Sequence, residues 1–324
     1  MSVAVGAEET LFTEGATEER SIWGRLSAEL RQNKVAYLLL GPSLLAFALL
    51  VLFPLGSTIA GAFAKTDAVG RIVEFGTLAN FTALANDKYM FSTRPLYGII
   101  GQTLLYAFGS VALTVVIAFP LAVALNQRFR GALIARSILL MPWAAPLAIT
   151  ALGWRWIFHG QLGMLNQVLR MLGITQQSID WLSQGELAFA CVTFVEVWSS
   201  IPFMTITFLA GLQSIPPHIY DAAKMDGAGA WQEFWDMTVP QMKKVFMIVT
   251  LLSVIWAFRS FTVIWTMTGG NPFYRTDISV TYLYKLAFKN ITFGQGYALA
   301  FATFIVLLIF SVIYTRVLRS EDMA

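Results

Sequence analysis

Charge is scarce in this chain: Asp, Glu, Lys and Arg make up only 13% of its 324 residues, while 57% are hydrophobic. Soluble domains carry about 25% charged residues, and with a mean hydropathy of +0.65 there is too little polar surface here to cover a water-soluble fold. The chain belongs in a bilayer. It has one cysteine, Cys191, which excludes an intrachain disulfide and reads as a packing residue in an apolar span. It has two histidines, His159 and His218, with no further His or Cys at metal-ligand spacing. No Gly-x-x-x-x-Gly-Lys-Ser/Thr phosphate loop, Gly-x-Ser-x-Gly elbow or paired carboxylate motif occurs. The chain is therefore expected neither to hydrolyse a nucleotide nor to perform covalent chemistry alone, and uphill movement of a solute would draw on an ion gradient or a partner. Internal repeats and low-complexity tracts are also lacking.

The apolar runs remain. Crossing about 30 Å of hydrocarbon takes about 20 residues, and runs of that order fall at 35–63, 98–125, 137–158, 187–210, 245–267 and 297–316. These predict six spans. The third is interrupted by Pro142, Pro146, Gly153 and Arg155 and is expected to kink, either along a cavity or as a loop dipping into protein, since irregular backbone at that depth is tolerated only there. Cations beside the spans set the orientation. With the amino terminus inside, Arg20, Arg25, Arg31, Lys34, Arg128, Arg130, Arg136, Lys224, Lys243, Lys244, Arg316 and Arg319 are cytoplasmic. Lys65, Arg71, Lys88, Arg94, Arg170, Arg275, Lys285 and Lys289 face outward. Residues 1–20 lack the cationic start and cleavage site of a secretory signal, so the first span is expected to stay uncleaved. Between Ser21 and Asn33, Ile22, Leu26 and Leu30 recur every four residues opposite Arg25, Glu29 and Arg31, a pattern suited to an interfacial helix, with a disordered tail as the alternative.

One polar interruption stands out between the fourth and fifth spans. Tyr220-Asp221-Ala222-Ala223-Lys224-Met225-Asp226-Gly227-Ala228 continues through Trp231, Phe234 and Pro240. Pro216-Pro217 suits a helix start, where no amide donor is lost. Ile219, Ala222, Ala223 and Met225 supply a small apolar face, and Asp226-Gly227 turns the chain into a second helix bearing Trp231, Phe234 and Trp235. A compact pair of helices of this kind is a docking element for something soluble. The plainer alternative is an amphipathic loop lying on the headgroups.

Together with Gly211-Leu212-Gln213-Ser214-Ile215-Pro216, this run resembles the cytoplasmic "EAA" loop of permease subunits of bacterial-type ABC importers. The stretch Thr268-Gly269-Gly270 to Tyr284-Lys285-Leu286-Ala287-Phe288, with Phe261 and Ile264-Trp265 before it, is similar to the carbohydrate branch, the maltose, trehalose and glycerol-phosphate permeases. Trp154-Arg155-Trp156-Ile157-Phe158, Gly163, Asn166, Leu169, Glu196-Val197-Trp198 and Pro202-Phe203 extend the likeness over about residues 35 to 316. Two departures are visible: the loop opens with Asp221 where the family has glutamate, and the family's Gly-Gly-Gly-Pro turn reads Gly269-Gly270-Asn271-Pro272. Asn tolerates left-handed angles, so the turn is expected to survive.

The resemblance implies an all-α, polytopic membrane protein with six transmembrane helices in the type I (MetI-like) permease architecture. It implies residues 1–34 as a cytoplasmic segment with an interfacial helix, 35–316 as the permease domain with a coupling loop at 211–244, and 317–324 as a cytoplasmic tail in a bacterial-type inner membrane. It also implies half of a pore shared with a second permease, two ATP-binding subunits that hold ATP and Mg, an external solute-binding protein and a carbohydrate substrate, with no cofactor or metal in this chain, no catalysis by it and no nucleic acid. The coupling residues would be Tyr220, Asp221, Ala222, Ala223, Met225, Asp226, Gly227, Ala228, Phe234 and Pro240.

Charges inside spans mark function, and sugars stack on aromatic rings while their hydroxyls meet polar groups. Candidates for the solute path are therefore Trp154, Trp156, Glu196, Trp198, Ser199, Trp256, Arg259 and Trp265, with Ser200 and Thr262 beside them. Glu196 and Arg259 either pair or face a polar cavity, and Arg155 reads as interfacial or stabilising. The segment Ala64 to Arg94 is long for a connector and could receive the binding protein. An ion-coupled secondary carrier for a small polar solute is the alternative function, although such carriers commonly carry inverted repeats and need no docking loop. A membrane-embedded enzyme would need a nucleophile or metal site at depth.

Overall fold

The computed structural model describes residues 33–91, 98–127 and 129–321. Residues 21–32 of the interfacial helix expected between Ser21 and Asn33, and also Arg94 and Arg128, lie outside the described residues. The chain divides after Ser57 into two units.

In the first unit, the described residues begin an apolar helical span, Lys34–Ala62, whose most apolar window has no buried residue. A helix apolar on all sides and uncovered by protein is one that hydrocarbon covers. Its ladder widens to a π turn over Ala48–Leu52, where Phe53 N–H reaches Ala48 O. The cause is Pro54, which has no N–H to continue the regular ladder.

The second unit holds the remaining spans: Ile99–Asn126, the bent pair Ala132–Ala144 and Leu147–Ile157, Gly185–Gln213, Ala230–Met267 and Phe293–Arg316. Among the described residues, five helices are thus long and apolar enough to cross, or six spans if the bent pair is one. The pair bends by 91° because Pro146 forces Ala145 into an extended conformation, φ −78° and ψ 139°. The expected kink is therefore a full break, and its first helix starts at Ala132 rather than near 137.

The second and fourth spans lie side by side in the same direction, Tyr106 meeting Phe189 at 6.1 Å and Phe119 meeting Phe208 at 5.4 Å. Lipid gives helices no hydrophobic reason to associate, so close approach depends on small residues. Gly211 supplies one: a Cβ there would sit 2.9 Å from Met242 Cε and Val245 Cγ2, on the fifth span. Phe119, Phe208, Leu212, Met242 and Val249 fill one buried cluster at this end. A second cluster, including Tyr106, Cys191, Val195, Ile264 and Ile278, fills the middle, and a third around Ile99, Tyr282, Leu286 and Leu299 fills the opposite end.

The segment after the first span is structured. Strands Ala64–Thr66 and Ile72–Phe75 pair antiparallel. Asp67 Oδ1 accepts the amides of Val69 and Arg71 at 2.9 and 2.8 Å and so closes their turn. A short helix, Ala79–Ala85, follows, and Asn80 Nδ2 bonds the carbonyls of Ala62 and Ala64 at 3.1 and 2.8 Å.

The fifth span departs most from expectation. It starts at Ala230, passes through a π turn at Glu233–Thr238, runs as regular helix over Val239–Phe258, breaks at Arg259 and resumes over Thr262–Met267. The second short helix of the docking element is thus no separate piece, because nothing between Ala230 and Phe258 stops the helix.

Candidate functional site

The helix Pro217–Met225 carries the first candidate feature. Pro217 opens it at a position whose N–H would be unpaired anyway, with Pro216 extended before it. Its far end is closed by Gly227 at φ +81°, which lets Gly227 N–H reach Lys224 O at 3.1 Å and Ala228 N–H reach Ala223 O at 2.9 Å. Ile219, Tyr220 and Phe234 pack against the Phe119–Phe208 cluster, and Ala223 is 3% exposed. The Tyr220 hydroxyl and Thr238 Oγ1 share a hydrogen bond of 3.1 Å, which ties this helix to the root of the fifth span.

The opposite face is bare. Asp221, Ala222, Lys224, Asp226 and Pro240 are exposed, as are Met225 at 88% and Trp231 at 73%. The single apolar face read from Ile219, Ala222, Ala223 and Met225 is therefore two faces. Residues 219 and 223 are one turn apart and point inward, whereas 222 and 225 lie on the next stripe and point out.

The second feature is a cavity of about 330 Å³, within the size range of small-molecule sites. The second span lends it Ser110 and Thr114, the bend of the third lends Trp143 and Leu147, the fourth lends Glu196, Ser199, Ser200 and Phe203, and the fifth lends Ser253 and Trp256. Phe203 and Trp256 lie 5.1 Å apart, and Trp143 stacks near Phe203 at 6.3 Å. Glu196 Oε2 accepts hydrogen bonds from the Tyr106 hydroxyl at 3.0 Å and from Ser260 Oγ at 2.7 Å. Hydroxyl donors are the satisfaction a carboxylate at this depth requires.

Of the candidate path residues, the cavity gathers Glu196, Ser199 and Trp256, together with Ser200. Trp154 and Trp198 pack on each other at 5.4 Å, Trp156 is 65% exposed, and Trp265 stacks on Phe261 at 5.2 Å. Arg259 is exposed and does not pair with Glu196. Arg155 Nη1 donates to Thr266 O at 3.3 Å. Sequence reasoning missed Tyr106, Ser110, Thr114, Trp143, Ser253 and Ser260. The first three had a signal, since polar groups at 106, 110 and 114 recur every four residues along one stripe of an apolar helix.

Comparison with known proteins decides the family. Residues 114–320 match the family described as binding-protein-dependent transport system inner membrane component. The chain belongs to that family. It is 39% identical over 293 residues to a probable ABC transporter permease protein of Brucella abortus, covering 90% of this chain and 99% of that one. It is 32% identical to the trehalose/maltose transport system permease protein MalF of Thermococcus litoralis, covering 89% of this chain and 95% of that one. A chain of the crystal structure of the bacterial alginate ABC transporter, in complex with an alginate pentasaccharide-bound periplasmic protein, superposes with a TM-score of 0.78 at 20% identity, covering 92% of this chain and 98% of that one. The fold is thus the MetI-like permease fold, and the chain is a multi-pass permease component of a membrane transport system rather than an enzyme.

In this permease the family-like stretch from Thr268 to Phe288 forms a third cluster, outside the spans. Lys285 Nζ donates to Asp277 Oδ2 at 2.5 Å, with both side chains buried, and lies 4.5 Å over the Tyr274 ring. Tyr274 meets Tyr89 at 4.2 Å, and the Tyr282 hydroxyl donates to Asp87 Oδ2 at 2.5 Å. The loop after the first span is thereby clasped to the segment after the fifth. Burial pushes the Asp277 carboxyl up to about 6, the nearby Lys285 offsetting part of the effect. Lys285 and Arg275, counted above as cations of one face, are both paired, Arg275 with Glu186 at 2.7 Å.

Proposed function

We propose that this permease forms half of the translocation path of an ATP-driven carbohydrate importer, with the exposed face of residues 216–240 seated on a cytoplasmic ATPase. The observation that carries the proposal is the build of that element: a capped helix with one face locked into the core and the other, bearing Asp221, Met225 and Trp231, bare. The lever follows from continuity. The Tyr220–Thr238 bond joins the docking helix to a helix that reaches the cavity at Ser253 and Trp256. At 1.5 Å per residue, the 18 residues from Thr238 to Trp256 carry a displacement about 27 Å. Closure of two ATPase subunits on ATP and Mg would draw paired docking helices together and open the path outward, and hydrolysis would reset it. Small residues at the contact allow the close approach such a seat needs.

The partners are then a second, related permease completing the pore, two ATP-binding subunits, and an external solute-binding protein received near the hairpin at 64–75. Both termini lie in the cytoplasm, residues 1–34 and 317–324 flank the 35–316 permease domain, and this chain holds no cofactor of its own. A carbohydrate substrate is supported by the trehalose/maltose relative and by a cavity pairing Trp143, Phe203 and Trp256 with serine and threonine hydroxyls. The test is solute uptake in right-side-out vesicles loaded with ATP and given the binding protein. Uptake that needs both supports the reading; uptake that persists in ATP-depleted, energised vesicles refutes it in favour of an ion-coupled carrier.

A further inference from the structure

We infer that the solute passing this cavity carries no net negative charge: it is a neutral or amino sugar, and sugar phosphates, sulfonates and uronates are rejected. The inference rests on the proposal above that the cavity lies on the solute path. Among the described residues lining it, the only ionisable group of either sign is Glu196, and no Lys, Arg or His faces it. The remaining polar lining consists of hydroxyls, Ser110, Thr114, Ser199, Ser200 and Ser253, which bind sugar hydroxyls but cannot neutralise an anion.

The cations that could have done so are placed elsewhere. Arg155 donates to the Thr266 carbonyl. Arg259 follows Trp256 by three residues, but the backbone leaves the helix there, at φ −104° and ψ 8°, and the side chain is not part of the lining.

The Glu196 carboxylate is also fixed in place. Its Oε2 takes both hydroxyl donors, from Tyr106 on the second span and Ser260 at the break of the fifth. Oε1 is left to accept from a solute hydroxyl or ammonium group. An anion brought to about 6 Å from this carboxylate, at an effective dielectric near 20, would be disfavoured about a hundredfold. A donor group on the solute would gain a charge-assisted hydrogen bond instead.

The experiment purifies the wild-type complex with its binding protein, releases the solute held by that binding protein, and determines its charge by mass spectrometry. Uptake of that solute is then compared between wild type and Glu196→Gln in proteoliposomes. The expected result is a neutral or cationic solute whose uptake falls about tenfold in the variant, the size of one charge-assisted hydrogen bond, with ATPase capture unchanged. A solute bearing phosphate, sulfonate or carboxylate overturns the inference whatever the variant does, and so does a neutral solute taken up equally well by Glu196→Gln. If instead no ATPase accompanies the wild type and uptake needs no ATP, the importer reading has failed, and the solute's charge still decides this inference separately.

Discussion

Trp231 and Phe234 sit three residues apart at the root of the fifth span, with ring centroids 6.4 Å from each other, yet they should fail in opposite ways when truncated. Trp231 is 73% exposed, and its ring meets those of Phe234 and Trp235, the latter at 5.7 Å. Trp231→Ala removes two exposed aromatic contacts and should cost the fold about 1 kcal/mol. If the bare face is a docking surface, Trp231 lies on it, and truncating an anchoring tryptophan costs about 2–4 kcal/mol of binding, a loss in ATPase affinity of about 30-fold or more. Phe234 is half-buried against Phe119 at 5.8 Å. Full burial of a phenylalanine would put Phe→Ala at about 3–5 kcal/mol, so roughly 2 kcal/mol is expected for Phe234→Ala, felt as lower thermal stability. Both variants are assayed in mild detergent, by titrating ATPase subunit onto immobilised permease and by thermal unfolding. Trp231→Ala that binds ATPase like wild type, or that unfolds as early as Phe234→Ala, would refute the assignment of that face to docking.

Three further outcomes follow from the geometry. Phe208 is fully buried between Phe119 and Phe246, at 5.4 and 4.7 Å, so Phe208→Ala should cost about 3–5 kcal/mol and appear as loss of folded protein on size exclusion. Gly227→Ala meets no neighbour, but φ is +81°, so it should cost about 1 kcal/mol and weaken docking without changing subunit yield. The Asp277 carboxyl, raised from 3.8 to about 6, binds a proton in the folded chain between about pH 4 and 6 that the unfolded chain has already released. Stability should therefore fall as pH rises through that window, and Asp277→Asn should flatten the dependence in thermal melts taken at pH 4.5, 5.5 and 6.5.

What the sequence disclosed was whatever depends on length and local chemistry. Runs of about 20 apolar residues marked the spans, Pro142 and Pro146 marked the break, and Pro217 and Gly227 marked the two ends of the docking helix. The break at Arg259 was not legible, because no Pro or Gly announces it; its hydroxyl tie runs from Ser260 to Glu196 across 64 residues of sequence. Most of the cavity wall was hidden for a related reason. Ser110 and Thr114 are diluted in a hydropathy average over Ile99–Asn126, and only their four-residue spacing sets them on one stripe. Arg259 and Trp265 looked like path residues because they are polar or aromatic within an apolar run, but which way they face depends on that unannounced break. Met225 was grouped by composition with Ala223 on one apolar face, and its place one stripe away sends it out.

The most direct test of the coupling claim is co-purification from native membranes of wild type, Asp221→Arg and Met225→Arg, both substitutions falling on exposed positions where the fold should hardly respond. An ATPase and a second permease are expected to come with the wild type, and both variants to keep the permease but lose the ATPase. A chain that purifies alone, or variants that retain the ATPase at wild-type level, would contradict it.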